Sequence, residues 1–177
     1  MDGETAALLR EMRDRHDIYD CLMRYCRGID RLDRDLLLSA YHPDAADDHG
    51  SFVGTAEGFA DYAFALHTNH QQRTQHHITN HICEIEGDVA HAESYYIFRS
   101  LNTQPPLHTT ASGRYLDRLE RRDGKWAIAD RICLVDIRND HWAPTGTEGD
   151  ADYMPNMRNH TDTSYQLPIR VDRRRFT

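Results

Sequence analysis

The sequence predicts an α+β domain in which a strongly curved antiparallel sheet wraps around N-terminal helices. Three observations carry this expectation. Apolar residues recur near a 3.6-residue period through the first part of the chain. From about residue 76 the pattern changes to the two-residue alternation of strands, rich in β-branched and aromatic residues. Turn signals at Glu86-Gly87-Asp88 and Arg122-Asp123-Gly124 then cut that stretch into a meander. Helices first and antiparallel strands after define the α+β class.

Residues 5–29 read as one long amphipathic helix, with Leu8, Leu9, Met12, Ile18, Tyr19, Leu22, Met23, Cys26 and Ile29 on its apolar stripe and Gly28 at its end. Asp33 suits the N-cap of a short helix holding Leu36, Leu37 and Leu38, which His42-Pro43-Asp44 stops. Residues 44–55 read as a short hairpin or a loop. A third helix fits Ala56 to Asn69. Four strands follow: His76 to Ile85, Val89 to Leu101, Leu107 to Arg121 and Lys125 to Arg138, with a loop over Asn102 to Pro106. This gives a domain over residues 1–138. Residues 139–177, broken by Pro144, Gly146, Gly149, Pro155 and Pro168, form a C-terminal tail. Its alternatives are disorder, packing on a neighbouring subunit, or a lid made by Trp142, Met154 and Met157.

A chain of 177 residues with 39% hydrophobic residues is long enough to bury a core as one domain. No apolar run approaches the ~20 residues of a membrane span, and the N-terminus lacks an apolar signal core, so no membrane contact and a cytoplasmic location are expected. Net charge of −8 disfavours nucleic acid as a partner. The basic cluster Arg170, Arg173, Arg174 and Arg175 reads as a solvated tail. Cys21, Cys26, Cys83 and Cys133 form no CxxC pair and, with three of them inside apolar segments, read as reduced core thiols. Among 12 histidines, the groupings His77/His81, His67/His70 and Asp47/Asp48/His49 lack a complete ligand set, so no metal is expected.

Three blocks of residues then resemble a known family. Tyr25-Cys26-Arg27-Gly28-Ile29-Asp30 with Asp33 and Asp35 is one. His76 with Thr79-Asn80 and Glu86-Gly87-Asp88 is the second. Gly113-Arg114-Tyr115, Arg121-Arg122-Asp123-Gly124, Trp126 and Arg131 make the third. Together they resemble SnoaL-like proteins of the nuclear transport factor 2-like superfamily, over about Leu8 to Asp136. Within it the pattern is most similar to cofactor-free lyases: scytalone dehydratase, hexachlorocyclohexane dehydrochlorinase and bile-acid 7α-dehydratase. The resemblance implies a catalytic Asp30–His76 pair, assistance from Arg131 and Tyr25, no cofactor, and a homo-oligomer, a trimer rather than a dimer. His76 is preferred to its neighbour His77 because Thr79-Asn80 anchors the match. Strand parity agrees, since it sets His76, Ile78, Asn80 and Ile82 on one face.

The chemistry suits an elimination. A histidine base takes a C–H or O–H proton, and a carboxylate behind it fixes the tautomer. Arg131 would hold an anionic leaving group or oxyanion, Tyr25 would donate to a substrate oxygen, and Asn80 would orient His76 or substrate. Parity suggests Tyr96, Phe98, Ala111, Gly113 and Tyr115 as a pocket wall suited to a flat, aromatic or polycyclic small molecule. The expected reaction is loss of water, a halide or a small carbonyl fragment such as formaldehyde. Other readings stay open: a non-catalytic small subunit of a ring-hydroxylating dioxygenase, a ligand-binding module, or a ketosteroid-type isomerase. Asp30 also suits a helix cap, His76 a core histidine, and Arg131 a surface ion pair.

Overall fold

The computed structural model describes residues 2–142, 157–165 and 168. Its first element, α1 (Gly3–Arg31), starts on Asp2, whose side chain accepts a hydrogen bond from the Thr5 amide at 2.8 Å. The second half of α1 is the packed half: Ile18, Cys21, Leu22, Tyr25, Cys26 and Ile29 are buried, whereas Leu8, Leu9 and Met12 of the expected stripe are exposed. Asp14 clamps the middle of the helix to the sheet, accepting from Trp126 Nε1 at 2.9 Å and pairing with Arg121.

Gly28 does not end the helix. The helix continues to Arg31 and terminates at Leu32 in the left-handed region, φ 52°. Gly28 instead admits the next helix, α2 (Arg34–Leu38): a Cβ there would lie 2.5 Å from the Leu37 amide nitrogen and 2.6 Å from its Cα. Asp33 caps α2 as expected, accepting from Leu36 N at 3.0 Å.

The sheet has six strands in the order β2-β1-β6-β5-β4-β3. The expected meander forms its larger part, as β3 (Gln71–Glu86), β4 (Val89–Asn102), β5 (His108–Arg122) and β6 (Lys125–His141), all antiparallel. The edge corrects the sequence reading. Residues expected to stop a helix begin β1 (Tyr41–Asp48), which runs parallel to β6 and turns back into β2 (Val53–Thr55). Pro43 is tolerated because it falls in the irregularity between Tyr41 and Ala46, where the register with β6 shifts and no ladder N–H is needed. The helix α3 (Ala56–His70) follows, capped by Thr55.

Antiparallel partners share a face, so the register defines rows. One inward row is His76, Phe98, Ala111 and Arg138; a second is His81, Ser94, Tyr115 and Cys133. The concave face closes on α1 and α3. The described part of the tail packs at the open end: Tyr165 donates to Asp33 at 2.7 Å, and Arg158 donates to the carbonyls of His67 and Gln71. Trp142 and Met157 lie away from the cavity, and Met154 is outside the described residues, as are the four C-terminal arginines. All four cysteines are free thiols. Among the described residues no helix is long and apolar enough to cross a membrane.

The close approach at Gly28 is testable. The overlap is with backbone, so no rotamer relieves it. Gly28→Val is expected to cost about 1–3 kcal/mol through forced separation of α1 and α2. Urea denaturation measures this, and unchanged stability would contradict the packing.

Candidate active site

The last turns of α1, the face of α3 and the inward rows of β3–β6 enclose a cavity of about 430 Å³. That is room for a small organic molecule. On its wall, the Asp30 carboxylate bridges two atoms of one residue. Oδ1 lies 2.7 Å from His76 Nδ1, and Oδ2 accepts from the His76 backbone amide at 2.9 Å. Burial pushes the Asp30 carboxyl up, but these bonds outweigh it and hold its pKa below the ordinary carboxylate value. An ionised carboxylate only accepts, so His76 Nδ1 carries the proton. Nε2 has no hydrogen bond among the described residues.

Tyr25, Tyr96, Phe98, Ala111 and Tyr115 line the cavity with His76. Phe98 lies 4.8 Å from the His76 ring, and Tyr96 stacks on Tyr115 at 4.5 Å. Gly113 is not a lining residue. Its Cβ position lies 1.8 Å from the Leu134 carbonyl, so it lets β6 bulge against β5.

Besides Gly113, two expected site residues lie elsewhere. Asn80 is exposed, because the register of β3 shifts between Ile78 and His81; the bulge turns His81 and Cys83 inward and Asn80 and Ile82 outward. It also separates His77, which is exposed, from His81, which bonds Ser94 at 2.8 Å. Arg131 is fully buried beneath the cavity. Its Nε and Nη2 hold the Asp117 carboxylate at 2.7 and 2.8 Å, and the rings of Tyr25 and Tyr115 cover it at 4.1 and 4.2 Å. Its charge is neutralised and its faces are occupied, so it supports the tyrosines and does not reach the cavity.

Two further histidines of the cavity went unassigned from sequence. His49 follows β1 and stacks on Phe59 at 4.2 Å. Its Nδ1 meets the Asp47 carboxylate, and its Nε2 lies 3.3 Å from the Tyr25 hydroxyl. Asp47 and His49 had been noted only as part of an incomplete metal cluster, yet two residues apart on an extended strand they share a face. His67 of α3 is buried beside Gln71, its ring 6.1 Å from that of His76. Burial pushes its imidazolium down to about 4, so it is neutral at ordinary pH. Among the described residues no group of three or more metal-ligating side chains is arranged to hold an ion.

This architecture, helices held inside a curved sheet, is that of the nuclear transport factor 2-like superfamily. The SnoaL-like domain profile matches residues 10–132, and the chain belongs to that family. No curated protein matches it. Among solved structures it is similar to a hexachlorocyclohexane dehydrochlorinase of the second type, with TM-score 0.70 and 22% identity over 78% of this chain and 99% of that one. It is also similar to a putative scytalone dehydratase from Novosphingobium aromaticivorans, with TM-score 0.67 and 19% identity over 82% and 99%. A Mycobacterium tuberculosis protein of unknown function is similar at TM-score 0.63 and 27% identity, over 71% and 77%.

The depressed His67 gives a signed pH effect. An unfolded imidazole with pKa 6.5 binds a proton that native His67, at about 4, refuses. Stability from this residue is therefore complete above 6.5 and falls as pH drops toward 4, by about 3 kcal/mol at most. His67→Gln should flatten that acid limb in urea midpoints measured against pH. An acid limb as steep as wild type would contradict the assignment.

Proposed function

We propose that the protein is a cofactor-independent lyase that eliminates water, a halide or a small carbonyl fragment from a hydrophobic, aromatic or polycyclic small molecule. The observation that carries this reading is the two-point grip of Asp30 on His76 at the wall of a cavity lined by aromatic rings. The grip directs the bare Nε2 away from the carboxylate, where it takes the substrate proton. Asp30 then stabilises the imidazolium that forms. Tyr96, Phe98, Ala111 and Tyr115 hold a flat ring beside the base. Neighbours named as a dehydrochlorinase and a putative dehydratase support the same class at the level of the fold. Free cysteines suit a reducing, cytoplasmic compartment.

The test is turnover of aromatic β-hydroxyketones and chlorinated cyclohexanes, followed by absorbance of the new conjugated bond and by chloride release. His76→Ala should cut the rate by about 10²–10⁴, the usual contribution of a positioned base, with thermal stability nearly unchanged. Asp30→Asn should lower it too. Wild-type rates in both variants would overturn the reading.

We also propose that the outer face of the sheet packs against further copies of the chain, as a trimer. Its rows are Ile82, Glu93, Leu116 and Ile132, then Tyr95, Arg114 and Leu134, then Ile97, Ser112 and Ile137. Ile82, Ile132 and Ile137 are 67%, 46% and 58% exposed in the single chain, large aliphatic side chains set around the Glu93–Arg114–Asp136 ion pairs. Light scattering should give a trimer that Ile132→Glu converts to monomer. A wild-type monomer at micromolar concentration would contradict it.

A further inference from the structure

A second carboxylate–imidazole pair faces the same cavity and has no part in the reaction as described so far. Asp47 is 1% exposed and spends both oxygens: one accepts from the Tyr41 hydroxyl at 2.6 Å, the other meets His49 Nδ1. That fixes the His49 ring with Nε2 toward Tyr25, whose hydroxyl lies 3.3 Å away. Tyr25 stands between the two histidines, its ring 6.2 Å from that of His76.

The protonation states differ along this chain. Burial would push the His49 imidazolium down, but the bond to Asp47, helped by the Cys133 side chain, overrides it and raises the pKa to about 9. Burial keeps the Tyr25 hydroxyl protonated well past its usual range, against the pull of Arg131 behind its ring. The groups facing His49 are thus Tyr25 from α1, Asp47 from β1, Phe59 from α3, Tyr115 from β5 and Cys133 from β6.

We propose that Asp47, His49 and Tyr25 form a proton-donating relay opposite His76, and that the group expelled is therefore a hydroxyl leaving as water. This deepens the lyase reading and rests on it. A departing halide needs no proton, so a proton-donating chain would be idle for it, and Arg131, the cation expected to hold it, is sealed under tyrosine rings against Asp117. A departing hydroxyl needs a proton, and here an acid lines the wall. The step balances. His76 Nε2 takes the C–H proton, the C–H electron pair forms the new C=C bond, and the C–O bond breaks toward oxygen. That oxygen receives the Tyr25 proton and leaves as water, while Tyr25 is reprotonated from His49 Nε2. The proton gained by His76 and the one lost by His49 are equal, so solvent exchange resets the site without an oxidant, reductant or co-reactant.

The probe is para-nitrophenol, whose ionised form is yellow, titrated into the full chain at a pH below the phenol's own pKa. It needs no turnover, so it is separate from the test of the lyase reading. A charged donor at the relay should bind the dye as phenolate in wild type and in His76→Ala. In His49→Gln and Asp47→Asn the bound phenolate-to-phenol ratio should fall about tenfold or more, since an adjacent opposite charge shifts a pKa by about 1–3 units. A neutral dye in wild type, no binding at millimolar concentration, or ionisation lost with His76 and kept without His49 would each overturn the proposal. Should either relay variant fail to fold, nitrogen NMR of the unmodified protein decides. The His49 ring should remain imidazolium through neutral pH, and a ring neutral at pH 7 overturns the relay.

Discussion

Asp30 ties the last turn of α1 to the middle of β3, and the geometry of the cavity follows from that tie. One carboxylate accepts from both the backbone and the ring of His76, which fixes a strand register, a helix position and an imidazole tautomer at once. The cost of burying the charge is met by those bonds, since the carboxyl stays ionised despite its burial. Gly28, two residues upstream, belongs to the same construction: it lets α2 press against α1 and sets where the helix end can lie.

Around that pair the cavity sorts its titratable groups by environment. His67 has burial without a carboxylate and stays neutral. His49 has burial with a carboxylate and is held charged. Two imidazoles in one cavity thus hold opposite protonation, because one has a carboxylate partner and the other does not. Arg131 serves this arrangement from below. Its charge is cancelled by Asp117, and its guanidinium packs between Tyr25 and Tyr115, so it stiffens two rings of the wall without touching what they enclose.

Much of this was legible in the sequence, for physical reasons. The helix and the four long strands announced themselves by periodicity, and Asp30 with His76 by matched blocks. The failures each have a local cause. Asn80 was set on the inner face by unbroken alternation, but a β-bulge leaves no sequence mark beyond ordinary residues at Thr79 and Asn80. The hairpin left open over residues 44–55 exists as β1 and β2, but its start at Tyr41 and its pairing with β6 were missed, because Pro43 and several aspartates hide a strand that pairs parallel to a distant partner. Arg131 looked available because its charge is visible and its partner is not. Even so, Asp117 shares parity with the inward residues Ala111 and Tyr115, and that was a usable clue. The Asp47–His49 pair was readable as an Asp-x-His alternation once the segment is taken as extended.

The claim on which the account rests is that Asp30 holds His76 as the Nδ1–H tautomer with Nε2 bare. Nitrogen NMR of the labelled imidazole measures this directly at a pH where the ring is neutral. The account predicts a proton on Nδ1 and none on Nε2 in the native protein, with that preference lost in Asp30→Asn. A native ring protonated at Nε2, or one whose tautomer ignores the loss of Asp30, would contradict it.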